Sequence, residues 1–225
     1  MMMPYMCKNI VCFDLDDTLY KEIDFLKSAY QEIAISVGRP ELLPQMIQWY
    51  EAGDNVFQKL NQYLNKETPV SDYLEIYRNH YPAISLSDGV EDVLNELKSR
   101  GVVLGLITDG RSKSQRNKIR ALGLEHWFEN NHIIISEEFG TDKTDEKNFR
   151  HFVDVHPQSS FVYVGDNPQK DFVVPNRLGW QTIMLKDDGR NIHQQGIVPK
   201  EYLPQTVICD FKELIVYTNK GYNDV

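Results

Sequence analysis

The first strong pattern in the chain is an unbroken apolar run, Ile10-Val11-Cys12-Phe13. Nothing in it alternates with polar residues, which predicts a parallel strand buried on both faces. The period then changes. From Glu22 to about Pro82 there is no strong strand signal. Phe25, Leu26, Ala29, Ile33 and Val37 recur at helical spacing and end near Gly38. Leu42, Leu43, Met46, Ile47 and Tyr50 form a second helical face after Pro40. Val56, Leu60, Tyr63 and Leu64 form a third. Ser71 can cap a fourth helix carrying Leu74 and Tyr77. Four helices in a row without a strand predict an all-helical insertion over residues 21–82, a cap subdomain rather than helices flanking a sheet.

From Asp88 the pattern alternates. Asp88-Gly89-Val90-Glu91 has the form of a capping box, and Val90, Val93, Leu94 and Leu97 carry a helix to Gly101. Strands are predicted at Val102–Ile107, Ile133–Ile135, Phe161–Val164 and Thr182–Leu185, with an edge strand at Val207–Cys209. Helices are predicted between them at Ser112–Leu122, Thr144–Val153 and Pro168–Leu178, and a last one at Phe211–Tyr217. Pro175 is expected to kink its helix. Repeated strand–helix units imply an α/β fold, a doubly wound parallel sheet formed by residues 1–20 and 83–225. Ligands in such sheets bind beyond the carboxyl ends of the strands. The segment from Asp187 to Pro204 reads as a solvated surface excursion, from which Arg190 and His193 could reach a ligand.

Composition narrows the function more than the fold. Of the 225 residues, 41% are hydrophobic and 25% charged, enough for a packed core. The net charge of -9 argues against a nucleic acid or an anionic membrane held by charge. A small anionic substrate stays open, because a metal and a few local cations can dominate one site. Cys7, Cys12 and Cys209 are odd in number and lack a CxxC spacing. Cys12 and Cys209 lie in apolar runs and read as buried small hydrophobes. These features, with no signal-peptide pattern in Met1 to Met6, make a reducing, cytoplasmic setting the expectation. A monomer and a homodimer are both compatible with the sequence.

The candidate chemistry lies at the predicted strand ends. The first strand stops in three carboxylates, Asp14, Asp16 and Asp17. Unpaired carboxylates at a buried strand end are costly, and a divalent cation would resolve the conflict. Acids spaced i, i+2 there can face one site as nucleophile and proton donor. Thr108-Asp109-Gly110 follows the second core strand and offers a hydroxyl and free amides to a phosphate. Lys143 stands in a loop. Gly165-Asp166 opens the loop after Phe161–Val164, and Asp171 follows five residues on.

This order resembles the four motifs of the haloacid dehalogenase superfamily: DxDxT as Asp14-Leu15-Asp16-Asp17-Thr18, then Thr108, then Lys143, then GDxxxxD as Gly165-Asp166 to Asp171. The helical insertion resembles the family's C1-type cap. The resemblance implies a Rossmann-like core and a phosphatase working through an aspartyl-phosphate. Asp14 would attack phosphorus. Asp16 would protonate the leaving oxygen and then activate water. Thr108 and the Asp109 and Gly110 amides would hold the phosphoryl group, with Lys143 neutralising charge. Mg²⁺ would sit on Asp14, the Asp16 carbonyl and Asp166, while Asp171 would act through water or on Lys143. An acid Asp16 should have a pKa above that of a free Asp.

Tyr20, Lys21 and Arg111 are placed to touch the leaving group, with Trp49, Tyr50, Asn55 and Gln58 as weaker candidates from the cap. The expected substrate is a small phosphorylated metabolite, whether nucleotide, sugar phosphate or polyol phosphate. Two other readings stay open: a phosphosugar mutase, and a catalytically silent binding protein on this fold.

Overall fold

The computed structural model describes residues 8–218. Its centre is a six-stranded sheet, parallel at every pairing. The strands are β1 (Asn9–Phe13), β2 (Val103–Thr108), β3 (Ile133–Ile135), β4 (Ser160–Gly165), β5 (Gln181–Leu185) and β6 (Thr206–Ile208), in the order β3-β2-β1-β4-β5-β6. The direction of winding reverses at β1, so β2 and β4 both pair with it. Phe13 is in register with Leu106 on one side and Val164 on the other. The carboxyl ends of these three strands therefore meet at a topological switch point, where such sheets bind ligands.

The sheet separates two apolar layers with the two-residue period of its strands. Val11, Phe13, Leu104 and Leu106 face one layer. Ile10, Cys12, Ile107 and Tyr163 face the other, beside Phe149, Phe152 and Trp180. Gly105 is fixed by this packing: a Cβ there would lie 2.5 Å from the Phe152 ring and 2.6 Å from Cys12 Sγ.

Between β1 and β2 run α1 (Glu22–Ser36), α2 (Leu43–Glu51), α3 (Val56–Leu64) and α4 (Val70–Asn79), then α5 (Val90–Ser99). The first four share a separate apolar core of Leu26, Tyr30, Ile33, Met46, Leu60 and Tyr73. Asn55 caps α3 by accepting from the Gln58 amide at 3.1 Å. After β2 come α6 (Ser112–Ala121), α7 (Ser136–Phe139), α8 (Glu146–Val155), α9 (Val173–Arg177) and α10 (Leu214–Thr218). Among the described residues, no helix is long and apolar enough to cross a membrane.

Several expectations are corrected. No capping box forms at Asp88: Gly89, with φ 78°, holds the N-cap position of α5 without a side-chain bond. The N-cap of α4 is Pro69, not Ser71. The helix predicted at Pro168–Leu178 shrinks to Val173–Arg177, because residues 167–171 form a turn closed by the Asp171 amide on the Asn167 carbonyl at 2.9 Å. Pro175 then falls in the first turn of α9, where its missing N–H costs no intrahelical bond. Cys209 is exposed, one residue beyond β6, whereas Cys12 is buried as expected. Cys7 and Met1 to Met6 lie outside the described residues.

Candidate active site

Beyond the ends of β1 and β4 lies a cavity of about 110 Å³. Its lining includes Asp14, Asp16, Asp17, Glu22, Asp109, Lys143, Asp166, Lys170, Asp171 and His193. Asp14 is fixed at the end of β1 by its amide, which donates to the Val164 carbonyl of β4 at 2.8 Å. Lys143 is buried against it, with Nζ 2.5 Å from Asp14 Oδ1 and 2.9 Å from Asp171 Oδ1. The other Asp171 oxygen accepts from the Asp166 and Asn167 amides at 3.1 and 2.8 Å. Gly165 makes this loop possible, since a Cβ there would fall 2.4 Å from Asp171 Oδ2. Asp109 joins the same wall by accepting from the Lys143 amide at 3.1 Å.

Carboxylate oxygens of Asp14, Asp166 and Asp171 lie within 4.8 Å of one another, and all three residues are buried. Burial, offset in part by Lys143, raises the Asp14 carboxyl to about 7. Burial and then the Asp171 and Asp14 charges raise Asp166 to about 9. Burial opposes the charge on Lys143, but Asp14 and Asp171 outweigh it and hold the ammonium well above its ordinary range. Three crowded acids share one buried ammonium. A hard divalent cation bound through oxygen would remove the remaining repulsion, so these residues fit Mg²⁺. Both Asp171 oxygens are already taken by Lys143 and by amides, which leaves Asp14 and Asp166 as the freer carboxylate ligands.

Asp16 faces a different set of groups. Its oxygens accept from Lys118 Nζ at 2.6 Å, from Gln115 Nε2 at 2.8 Å and from the Tyr20 hydroxyl. Burial would push this carboxyl up, but the Lys118 charge and the three hydrogen bonds hold it below the ordinary aspartate value. The expectation of a raised pKa is therefore corrected. The physical cause is Lys118, a buried ammonium on α6. Asp17, the third acid of the run, has a left-handed backbone at φ 57°. Its side chain accepts from the Glu22 and Ile192 amides, both at 2.9 Å, so it ties loops together.

Not every candidate reaches the cavity. Thr108 is buried behind it, its hydroxyl accepting from Gln115 at 2.8 Å. The Gly110 amide donates to Ser136 Oγ at 2.9 Å. Tyr20 is wholly buried behind Asp16 and cannot touch a leaving group. Lys21 is turned to Asn191 at 2.7 Å and Asp188 at 3.1 Å. Arg111 lines another groove, with Ser71, Arg78 and Lys113. Trp49, Tyr50, Asn55 and Gln58 are absent from the cavity lining.

The segment after β5 is largely exposed, as expected, but part of it is tied to the site. Asn191 Nδ2 donates to Asp166 Oδ2 at 2.9 Å, and Gln195 Nε2 donates to the Asp166 carbonyl at 2.7 Å. Arg190 pairs with Asp188 at 2.7 Å, while His193 reaches the cavity. Gln115, Lys118, Glu22 and Asn191 are the residues that sequence reasoning missed. For the first two a signal existed: Gln115 and Lys118 sit three apart on α6 and share a face with the apolar Ile119 and Leu122.

Comparison with known proteins places the chain in a family. The family described as haloacid dehalogenase-like hydrolase matches residues 11–185. A glyceraldehyde 3-phosphate phosphatase of Methanocaldococcus jannaschii is 29% identical over 209 residues, covering 80% of this chain and 85% of the relative. A phosphoserine phosphatase of Thermus thermophilus is 39% identical over 144 residues, 62% of this chain and 52% of the relative. The hydrolase YfnB of Bacillus subtilis, solved bound to magnesium, superposes with a TM-score of 0.71 at 21% identity, covering 95% of this chain and 99% of that one.

Proposed function

This chain belongs to the haloacid dehalogenase-like hydrolase family, and we propose that it is a Mg²⁺-dependent phosphatase of a small phosphorylated metabolite, working through an aspartyl-phosphate. One observation carries the reading. Asp14 stands at the end of β1, 2.5 Å from Lys143 and in one buried cluster with Asp166 and Asp171, while Asp16 is held on the adjoining wall. The phosphatase names of the relatives from Methanocaldococcus jannaschii and Thermus thermophilus point the same way.

In this reading Asp14 attacks phosphorus and the ester oxygen leaves toward Asp16. Lys143 offsets the charge on Asp14 and the phosphoryl oxygens, and Asp171 holds Lys143 in place. Asp14, Asp166 and the Asp16 carbonyl would hold the cation, which when bound would neutralise phosphate charge. Lys118, Tyr20 and Gln115 favour the ionised form of Asp16, the form needed to deprotonate water in the second half-reaction. A phosphate dianion beside it would drive its carboxyl up, toward the state needed to protonate the leaving group. Asp109 lines the cavity, and its amide would hold the phosphoryl group. The Thr108 hydroxyl accepts from Gln115 and keeps its own proton to donate, whereas the Gly110 amide must first release Ser136. Residues 21–82 act as a cap whose closure keeps water from the intermediate.

Hydrolysis of p-nitrophenyl phosphate tests this. Turnover should require Mg²⁺ and vanish with EDTA. Asp14→Asn should lower it by at least about 10³-fold while circular dichroism stays native, as expected for loss of a nucleophile. Retained turnover in Asp14→Asn would remove the covalent step.

A further inference from the structure

Gln115 stands behind the cavity wall, yet its side chain touches both halves of the site. It lies on α6 and is 2% exposed. Its Nε2 donates to Asp16 Oδ2 and to Thr108 Oγ1, both at 2.8 Å, and to the Asp109 carbonyl at 2.9 Å. An ionised carboxylate and a backbone carbonyl can only accept, so the amide nitrogen has to face them. The other end of the amide bears the cost. Gln115 Oε1 is buried with no hydrogen-bond partner among the described residues. A buried acceptor without a donor is destabilising, so packing alone does not explain this orientation. The seat is close as well: a Cβ on Gly110 would lie 3.1 Å from Cγ, Cδ and Nε2 of Gln115. The neighbours of Gln115 on α6 anchor the helix. Ser114 Oγ donates to the Arg78 carbonyl at 2.7 Å, and Asn117 Nδ2 donates to the His80 carbonyl at 2.9 Å.

Each of these bonds selects one arrangement of its partner. A threonine hydroxyl has a single proton, and one that accepts from Gln115 keeps that proton for another acceptor. Asp16 Oδ1 accepts from both Lys118 and Tyr20, whereas Oδ2 accepts from Gln115. Oδ2 is therefore the oxygen with a lone pair left for a proton. Resting on the phosphatase reading above, we infer that Gln115 is a positioning residue for both halves of the site. Its one amide turns the Thr108 proton to the phosphoryl oxygens and holds Asp16 Oδ2 as the atom that protonates the leaving group. As the bond from Asp14 to phosphorus forms and the ester bond breaks, the Oδ2 proton passes to the ester oxygen, which keeps the bonding pair. Gln115 itself neither gains nor loses a proton. It fixes the direction of two groups, which is where an error of about 1 Å is costly to the rate.

The test compares kcat/KM, with Mg²⁺, for two esters. p-Nitrophenolate leaves with little help from an acid, whereas the oxygen of phenyl phosphate needs the proton. Gln115→Met, close in shape and checked for native circular dichroism, should lose about tenfold with p-nitrophenyl phosphate and about 100-fold with phenyl phosphate. Gln115→Glu, which keeps the shape and replaces the donor, should lose at least as much and takes its place if Gln115→Met is not native. Thr108→Val should lower both esters by one similar factor, and adding Gln115→Met to it should cost p-nitrophenyl phosphate little more. Wild-type rates, equal losses on the two esters, or fully additive losses in the double variant would each overturn the inference. If the wild type hydrolyses neither ester, the phosphatase reading fails instead. Calorimetric binding of inorganic phosphate with Mg²⁺ then decides. Similar weakening in Gln115→Met and Thr108→Val, with no further loss in the double variant, supports the role of Gln115. Unchanged binding in Gln115→Met, or additive losses, refutes it.

Discussion

The wall of the cavity built from Asp14, Lys143, Asp166 and Asp171 differs from the wall built from Asp16, Lys118 and Glu22 in origin and in charge balance. The first comes from the ends of β1 and β4, neighbours in the sheet, and from the loop that carries Lys143. It sets three buried acids against one ammonium. The second joins the loop after β1 to α6 and α1, and its chief contact is a single pair, Lys118 with Asp16. One wall is left short of positive charge and fits a metal. The other is nearly balanced without one. The fold thus places the electrostatic demand for a cation on the strand ends and meets the Asp16 charge with Lys118.

Removing the ammonium from each wall should expose that difference. Lys143→Met and Lys118→Met each leave a buried carboxylate without its partner, a loss on the order of 3–5 kcal/mol. Urea unfolding in EDTA should show both. Adding Mg²⁺ should restore much of the loss in Lys143→Met, because the cation meets the same acids, and little of it in Lys118→Met. In the second wall, the double variant Asp16→Asn/Lys118→Met should recover most of the stability, since no lone charge is left. Equal rescue of both single variants by Mg²⁺ would erase the distinction between the walls.

The two walls were not equally legible in the sequence. Asp14, Asp166 and the sheet that joins them could be read because each acid follows directly on an apolar strand run, and parallel strands bring their ends to one rim. Lys118 follows no strand run, and its one signal is the face it shares with Gln115, Ile119 and Leu122. α6 carries few apolar residues, and which of its polar side chains turns inward is decided by packing 102 residues from Asp16. The segment after β5 was legible only in part, for a similar reason. Its Gly, Asn, Gln and His content has the look of a solvated loop. Yet the Ile192 amide meets Asp17 across 175 residues, and Lys21 meets Asn191 across 170. Hydrogen bonds of that sequence separation leave no local period to detect. Asp88 failed on a smaller scale, because a glycine able to adopt positive φ took the capping position instead.

Proton binding by the first wall gives a second way to separate it. Asp14 at about 7 and Asp166 at about 9 stand above the 3.8 of an unperturbed aspartate. Between those limits the folded chain holds more protons than the unfolded one. Without metal, stability should therefore fall as pH rises through this window, by up to about 1.4 kcal/mol per pH unit for each group. Mg²⁺ competes with those protons, so its stabilising effect should grow over the same range. Thermal unfolding from about pH 5 to about pH 9, in EDTA and in Mg²⁺, measures both trends. The EDTA slope should be shallower in Asp166→Asn. A slope identical to that of the wild type would mean that Asp166 is ionised throughout.

The segment after β5 offers the smallest and most specific test, because it touches the first wall without being part of it. Asn191 donates to Asp166 Oδ2 at 2.9 Å and accepts from Lys21 Nζ at 2.7 Å. The bond orients Asp166 with one oxygen engaged and the other left for a cation. Groups that orient metal ligands in this way are worth about 10–100-fold in affinity. Asn191→Ala should weaken Mg²⁺ binding by roughly tenfold in calorimetry, with little change in the unfolding midpoint in EDTA, since Asn191 supports a ligand rather than the core. Gln195→Ala, which frees the Asp166 and Leu185 carbonyls and the Asp187 amide but no carboxylate, should weaken it less. The order of the two variants matters more than either value. If Gln195→Ala costs as much as Asn191→Ala, the segment acts by holding the backbone after β4, and the Asp166 side chain needs no guide.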